Sequence, residues 1–324
     1  MKKGKDFMGK AEDGILALCV ADALGVPAEF QSREQLAVDP VSGMRGYGSH
    51  AVPAGSWSDD SSMALCLADS IGETGGVDYD DIMGRFVRWV EDGAYTPHGK
   101  LFDIGRICME AVRRYELGTP ALECGGREET DNGNGSLMRI LPAAFFLFPK
   151  YGAPFSGSPE AMEEIHRLSS LTHAHPRSQI ACGIYLNVAS ELMAGRDLAY
   201  ALLNGLSGAA GYYEKQPRFR EELSHYRRLL DFPSFVCLPE EEIRSGGYVV
   251  ETLEAAFWCL SLTDSYPECA LKAVNLGDDT DTTAAVAGGL AGLWYGRLAI
   301  PKEWLEGLAK REEIERICSG IDKL

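Results

Sequence analysis

Two clusters of acidic and hydroxyl residues lie far apart in the chain, and each directly precedes a segment rich in Ala, Leu, Val and Gly. The first cluster covers residues 58–62 and the second covers residues 278–283. Their acidic members are Asp59, Asp60, Asp278, Asp279 and Asp281. Carboxylate and hydroxyl oxygens are the ligands that hard divalent cations prefer, magnesium above all. We therefore expect one metal-binding site that is assembled from two distant segments.

Each cluster also has a purely structural interpretation. Ser and Asp at the start of a helix commonly cap it and complement its macrodipole, and for Asp59 and Asp60 alone we favour that interpretation. The three carboxylates of residues 278–281, however, repel one another, which capping does not require and a bound cation would relieve. The two clusters together favour a metal site more than either does alone.

Two further segments carry residues that could contact a ligand. Residues 131–136 are rich in glycine, which would let backbone N–H groups approach a phosphate. Arg139 could pair with a phosphate or with an internal carboxylate, and a plain loop before a helix explains the segment equally well. His173 and His175 are a weak zinc signal, so we expect structural or ligand-contacting histidines.

The elements that must position these residues are predicted to be helices. Apolar residues recur every fourth position in residues 62–71, 81–90 and 179–194. Residues 284–295 are nearly all small or apolar, which predicts a central helix whose glycines allow close helix–helix contact. Convincing strands are scarce. We expect one compact all-α domain of about a dozen helices spanning residues 1–324, with loops at 43–56, 122–134 and 151–159 and a variable excursion at 212–247.

Composition excludes several classes of protein. Apolar residues make up 45% of the 324 residues and charged residues 24%, as in an ordinary globular protein. The net charge of −17 argues against non-specific binding of nucleic acid. The nine cysteines form no CxxC pair and predict buried thiols in a reducing cytoplasm. No signal-peptide core and no membrane-spanning apolar run is visible, and no feature demands a partner, so we expect a cytoplasmic monomer.

Six segments, in order, resemble motifs of the ADP-ribosylglycohydrolase family. They are similar to the family's GDALGxPxEF, WTDDT, FDIG, GNGxxMRxxP, SxxTH and NxGGDxDT and lie at residues 21–30, 57–61, 102–105, 133–142, 171–173 and 275–282. The resemblance runs from about Gly14 to Gly296. Six ordered motifs are far more specific than any one of them.

The resemblance implies an all-α fold and hydrolysis of the bond between ADP-ribose C1″ and an acceptor atom of a protein or small molecule. Two Mg²⁺ ions, or Mn²⁺, would be held by Ser58, Asp59, Asp60, Asp279, Asp281 and Thr282. Contacts to the substrate would come from Gly133, Asn134, Gly135, Ser136, Met138 and His173. Glu29 and Asp103 match acidic positions beside the metals, and either could take the proton of the attacking water. Our hypothesis is that Asp103 lies nearer the chemistry.

The chain departs from the family pattern at a few positions. Asp278 stands where a glycine is usual, so we expect added charge and altered geometry beside the metals. Ser58 and Ser61 replace threonines but keep the hydroxyl, and Cys19 and Ala21 replace glycines. All proposed metal-binding side chains remain.

Two other functions stay open from the residues. The first is a magnesium-dependent phosphohydrolase acting on nucleotides, although the usual His-Asp pair of one such class is absent. The second is a non-catalytic binding or structural protein of the same fold. The acceptor could be arginine, serine, an acetyl ester or a nucleobase, and the acidic surface weakly favours a guanidinium.

Overall fold

α-Helices build the part of the chain that the structure, a computed structural model, describes, namely residues 10–324. Within that range there is no β-sheet, and strand-like pairing is limited to isolated bridges such as the one between Gly133 and Tyr248. The predicted all-α fold is confirmed.

Seventeen α-helices follow one another along the described residues. The first nine are α1 Ala17–Gly25, α2 Arg33–Val38, α3 Asp59–Thr74, α4 Tyr79–Asp92, α5 Arg106–Glu116, α6 Pro142–Tyr151, α7 Pro159–Ser170, α8 Pro176–Met193 and α9 Leu198–Tyr213. The others are α10 Pro217–Arg220, α11 Arg227–Leu230, α12 Phe232–Phe235, α13 Val249–Ser261, α14 Tyr266–Val274, α15 Thr280–Tyr295, α16 Lys302–Gly307 and α17 Arg311–Ile321. A π-helical turn, Glu12–Leu16, leads into α1.

Helix α15 is the central helix that the composition of residues 284–295 predicts. Every residue of α15 as far as Leu293 is buried, and α1, α13 and α14 pack along it. A Cβ atom on Gly288 would lie 2.4 Å from Ala21 Cβ, and one on Gly292 would lie 2.0 Å from the Asp13 carbonyl oxygen. The glycines therefore permit the close approach of α1 and α15, which brings the start of α15 beside the end of α1.

The three segments whose periodicity predicts helices, residues 62–71, 81–90 and 179–194, correspond to α3, α4 and α8. In α4, one charged residue is more buried than its position on the helix suggests. Arg85 lies off the apolar stripe of α4, yet its side chain is only 4% exposed. It is buried because it pairs with three carboxylates, at 2.7 Å from Asp69, 2.6 Å from Glu73 and 2.6 Å from Asp81. Buried charges persist when they are paired in this way.

The expected dozen helices is too low a number, because the chain contains helices too short to show a period. Helices α10, α11 and α12 have four residues each and lie in the segment 212–247. This segment packs against the core through buried residues such as Phe219 and Leu229, and Tyr226 donates a hydrogen bond to the Arg177 carbonyl at 2.6 Å. The predicted loops contain only short 3₁₀ turns.

All nine cysteines are free thiols, and all but Cys237 are buried. Among residues 10–324, no helix combines the length and apolarity that crossing a bilayer demands. The single-domain organisation, the monomeric state and the cytoplasmic compartment stay predictions from the sequence.

Candidate active site

The first acidic cluster forms the start of α3. Ser58 is the N-cap residue, with extended backbone angles and an Oγ that accepts from the Asp60 N–H at 3.3 Å. Asp59 and Asp60 occupy the first turn. Capping therefore falls to Ser58, and it leaves both carboxylates available for other partners. The Asp59 carboxylate accepts from the Gly105 N–H at 3.2 Å, which ties it to the loop before α5.

The second cluster forms the start of α15, where the capping interpretation fails. Asp279 occupies the N-cap position, but its side chain makes no capping hydrogen bond. Its carboxylate instead accepts from Asn134 Nδ2 at 2.8 Å. Asp281 accepts only locally, from the Thr282 N–H at 2.9 Å. The Asp279 carboxylate is therefore directed away from the helix's own backbone.

The two clusters meet directly. Thr282 Oγ1 donates to Asp60 Oδ2 at 3.2 Å, across 222 residues of chain. The expected assembly of one polar pocket from distant segments is thus present in the fold, with Asp60 and Asp281 each about 1% exposed.

Asp22 of α1 is a third contributor, which none of the acidic patterns in the sequence marked. Its carboxylate lies within 3.1 Å of the backbone nitrogens of Ser58 and Ser61 and 2.9 Å from Ser58 Oγ. Burial raises the pKa of Asp22 to about 6, against the lowering effect of the hydrogen bonds from Ser61 and Ser58. The sequence did carry a signal for it, because Asp22 is the aspartate of the segment at residues 21–30 that resembles GDALGxPxEF.

The donor set fits divalent cations. Ligand oxygens of Asp22, Asp60 and Asp281 lie within 4.8 Å of one another, and so do those of Glu29, Asp279 and Asp281. Asp60 Oδ1 and Asp281 Oδ2 are buried and have no hydrogen-bond partner among residues 10–324. A buried carboxylate oxygen without a donor is costly unless a cation binds it, and oxygen-only sets suit Mg²⁺ or Mn²⁺.

The pKa shifts and the ion pairing of the pocket also suit a site that binds a cation. Burial, followed by repulsion from neighbouring carboxylates, raises the pKa of Asp59, Asp60 and Asp281 well above the usual range. Among the described residues, no Lys or Arg forms an ion pair with any of these three carboxylates. The described residues therefore bring these carboxylates together without supplying a cationic partner for them.

A cleft of about 210 Å³ opens above the pocket. Most of the predicted site residues line it, namely Asp59, Asp279 and Thr282 at the base and Gly133, Asn134, Gly135, Met138 and His173 on one side. Ser58, Asp60 and Asp281 lie beneath this lining. Ser136 is fully buried, and its hydroxyl accepts from Ser169 Oγ at 2.9 Å, so its side chain does not face the cleft.

Residues 133–135 form one wall of the cleft, and contacts with neighbouring segments hold them in place. Asn134 is fixed by a backbone hydrogen bond to the Gly247 carbonyl at 3.1 Å and by its amide, which donates to Thr252 at 2.9 Å as well as to Asp279. A Cβ on Gly135 would lie 2.8 Å from Cys108 Sγ. Arg139 takes neither role considered from the sequence: it is buried and donates to the carbonyls of Gly135 and Leu168, which fixes the wall from behind.

His173 and His175 have different positions and partners in the structure. His173 faces the cleft, and its Nδ1 lies 2.8 Å from Thr172 Oγ1. Burial, helped by nearby Arg139, lowers the pKa of His173 to about 3, so the ring is neutral at pH 7. His175 caps α8 by accepting from the Arg177 N–H at 3.2 Å.

Glu29 and Asp103 lie together at the mouth of the cleft. His50, which belongs to none of the six motifs, contacts the Glu29 carboxylate, and ligand atoms of all three residues lie within 4.8 Å of one another. Burial raises the pKa of Glu29 to about 7, partly offset by the hydrogen bond with His50. Burial also raises the pKa of Asp103. His50 lies in a loop with no local pattern, so no signal in the sequence marked it.

Comparison with known proteins places this geometry in context. A model of the ADP-ribosylglycohydrolase family matches residues 4–324. The ADP-ribosylarginine hydrolase Tri1 of Serratia proteamaculans (strain 568) is 33% identical over 319 residues, covering 98% of this chain and 80% of the relative. The ADP-ribosyl-[dinitrogen reductase] glycohydrolase of Rhodospirillum rubrum is 30% identical over 331 residues, covering 99% and 97%. A solved ADP-ribosylglycohydrolase-related protein complex matches with a TM-score of 0.79 and 29% identity, covering 98% and 99% of the two chains.

Proposed function

Because the chain belongs to the ADP-ribosylglycohydrolase family, whose enzymes hydrolyse glycosidic bonds of ADP-ribose, we propose that it removes ADP-ribose from arginine side chains of proteins with the help of two magnesium ions. The observation that carries the metal part of this proposal is the convergence of α1, α3 and α15 on one buried carboxylate pocket. Among residues 10–324, two of its oxygens accept no hydrogen bond, and Asp59, Asp60 and Asp281 have no Lys or Arg ion-pair partner.

The pocket residues would hold the two cations in two overlapping groups. One group is Asp22, Asp60 and Asp281, and the other is Asp279 and Asp281 with Glu29 close by. Ser58, Asp59 and Thr282 complete the set that the motifs imply. When bound, magnesium orients the ribose hydroxyls and lowers the pKa of a coordinated water.

The chain's own residues would supply the remaining chemistry. Glycosidic cleavage passes through an oxocarbenium-like transition state, which needs a base for the water and negative charge near the ring. Glu29 and Asp103 both line the cleft. We assign the positioning of the sugar to Glu29, whose carboxylate lies within 4.8 Å of those of Asp279 and Asp281, and the base to Asp103. The wall formed by Gly133, Asn134 and Gly135 would bind the diphosphate through backbone N–H groups. Neutral His173 can contact the substrate without adding charge.

Two observations support arginine as the acceptor. One relative at 33% identity is named an ADP-ribosylarginine hydrolase. In addition, the Asp103 carboxylate lines the cleft outside both proposed metal groups, and its negative charge complements a guanidinium and not a neutral hydroxyl or ester.

The experiment is a panel of substrates that carry ADP-ribose on arginine, on serine or on an acetyl ester, assayed with Mg²⁺ and with EDTA and read by mass spectrometry. We expect free ADP-ribose from the arginine substrate, and a loss of that release in EDTA. Release of inorganic phosphate from nucleotides instead would favour the phosphohydrolase, and preference for serine or ester would overturn the acceptor assignment.

A substitution of Asp103 tests its proposed role as the base. Asp103→Asn should lower kcat by about 10²-fold or more, because an amide cannot accept the proton of the water. Asp92→Asn, which removes an exposed carboxylate at the end of α4, is the matched control and should leave kcat unchanged. Near-normal turnover by Asp103→Asn would remove the assignment.

A further inference from the structure

His50 connects the two carboxylates at the mouth of the cleft. Its Nε2 contacts Glu29 Oε2, and among residues 10–324 no other side chain hydrogen bonds to the Glu29 carboxylate. The pair is shielded, with the side chain of His50 12% exposed and that of Glu29 9% exposed. A single, shielded hydrogen bond therefore decides which way the Glu29 carboxylate points.

The imidazole ring of His50 contacts two aromatic rings. Its centroid lies 5.9 Å from the ring of Phe30 and 5.3 Å from the ring of Phe102. Phe30 follows Glu29 in the chain, and Phe102 precedes Asp103. His50 thus contacts both segments that carry the mouth carboxylates.

The loop that carries His50 is built against the Glu29 segment. Ser49 Oγ donates to the backbone carbonyl of Glu29. A Cβ on Gly48 would lie 1.9 Å from the Pro27 carbonyl oxygen, so only glycine permits this approach. The loop is closed by hydrogen bonds from the Tyr47 N–H to the Val52 carbonyl at 2.6 Å and from the Ala51 N–H to the Tyr47 carbonyl at 2.9 Å.

The backbone around His50 adopts an unusual conformation. Tyr47 (φ 70°), Ala51 (φ 55°) and Phe30 (φ 65°) are non-glycine residues in the left-handed region. Such residues are energetically costly and persist where the surrounding structure fixes them, often at functional sites. Phe30 is in addition 73% exposed, so burial of its own ring does not explain its position.

From these contacts we propose that His50 is a positioning residue for catalysis, which holds the Glu29 carboxylate toward the cleft and sets its distance from Asp103. The inference rests on the proposed function and deepens it, because it assigns a role to a residue outside all six motifs. His50 acts through Glu29 and does not itself need to touch the substrate.

The test compares His50→Ala and His50→Gln with the wild-type enzyme on the arginine-linked substrate. We expect His50→Ala to lower kcat by about 10–100-fold, as loss of an orienting partner typically does, with KM changed less than about twofold. His50→Gln should recover much of the loss, because its amide can donate to the same carboxylate. His98→Ala, which removes a histidine bonded to Ser56 Oγ at 2.7 Å, is the control and should retain wild-type kcat.

Several outcomes would overturn the inference. Wild-type kcat in His50→Ala would do so, as would an equal loss in His50→Ala and His50→Gln, since a role in packing alone does not depend on a donor. Crystal structures of wild type and His50→Ala give a readout independent of turnover: we expect the Glu29 carboxylate to leave its wild-type orientation. An unchanged Glu29 would contradict the proposal, whereas a wild-type protein inactive on the whole panel would contradict the proposed function.

Discussion

Two acidic clusters lie along α3, and they differ in whether the described residues supply a cationic partner. At the middle of the helix, Asp69 accepts hydrogen bonds at 2.7 Å from both Arg85 and Tyr95. At the start of the helix, the described residues offer the Asp60 carboxylate only hydroxyl donors, from Ser58 and Thr282, and its Oδ1 accepts no hydrogen bond from them. The comparison shows that the fold can bury a cation beside a carboxylate and does not do so at the cleft. The proposed metal site accounts for this difference, because a bound cation would supply the missing positive charge.

The largest predicted effect comes from removing a charge at the cleft. Asp60→Asn should lower kcat/KM by about a thousandfold or more, equivalent to about 4 kcal/mol of transition-state stabilisation. The same change should raise the melting temperature in EDTA, because it relieves repulsion among buried carboxylates. Turnover assays and thermal unfolding with and without Mg²⁺ measure both.

Asp69→Asn is the matched control in the internally paired cluster. It leaves the buried Arg85 without one of its partners and should destabilise the protein by about 3–5 kcal/mol. It should not abolish the Mg²⁺-induced rise in melting temperature. If Asp60→Asn and Asp69→Asn changed the stability of the metal-free protein in the same direction, the distinction between the clusters would be lost.

The second prediction concerns the orientation of Asp279. Asn134→Ala removes a hydrogen bond to that carboxylate, a type of contact that contributes about 1.5–3 kcal/mol, so kcat/KM should fall roughly 10–100-fold. Asn187→Ala is the control, since Asn187 is equally an amide in a buried network, bonded to the Ser156 N–H, but lies in α8 outside the cleft. Equal kcat/KM in the two variants would show that the hydrogen bond from Asn134 to Asp279 does not contribute to catalysis.

These contacts show which part of the site was predictable from the sequence. Asp59, Asp60, Asp279 and Asp281 belong to two local sequence patterns. Their convergence on one pocket could therefore be predicted from the sequence. Asp22 belongs to the segment that resembles GDALGxPxEF, but one carboxylate in an apolar helix did not indicate which residues it would meet, and His50 belongs to no pattern. Their contacts arise only when α1 and a short loop pack against α3 and the Glu29 segment. The burial of Arg85 was equally invisible, since its three partners are spread over two helices.

The third prediction is a pH dependence of the stability conferred by magnesium. Burial raises the folded-state pKa of Asp22 to about 6 and of Glu29 to about 7. Protonation of these two carboxyls therefore adds to the free energy of unfolding at low pH. That contribution is complete below the usual carboxyl pKa and is lost as pH rises through the folded-state values. In EDTA this contribution therefore falls between about pH 4 and pH 7. The Mg²⁺-induced rise in melting temperature should be larger at pH 8 than at pH 5.5. A rise independent of pH, at matched ionic strength, would contradict the assignment.

The smallest predicted effect is at Asp278, where the sequence led us to expect added charge beside the metals. The side chain is exposed, and the residue has a φ of 59° and is held by backbone hydrogen bonds with Phe30 and Gln31. Left-handed backbone favours glycine, so Asp278→Gly should be tolerated, with kcat/KM within about threefold of wild type. A tenfold change, measured on the arginine-linked substrate, would show that the carboxylate acts on the site.

Anomalous diffraction from crystals soaked in Mn²⁺, which can replace Mg²⁺ on oxygen ligands, would locate the metals themselves. We predict two anomalous peaks in the cleft, one among Asp22, Asp60 and Asp281 and the other beside Asp279 and Asp281, and none at the Asp69–Arg85 cluster. Crystals of active enzyme without a peak between Asp60 and Asp281 would refute the assembly of one metal site from two distant acidic segments.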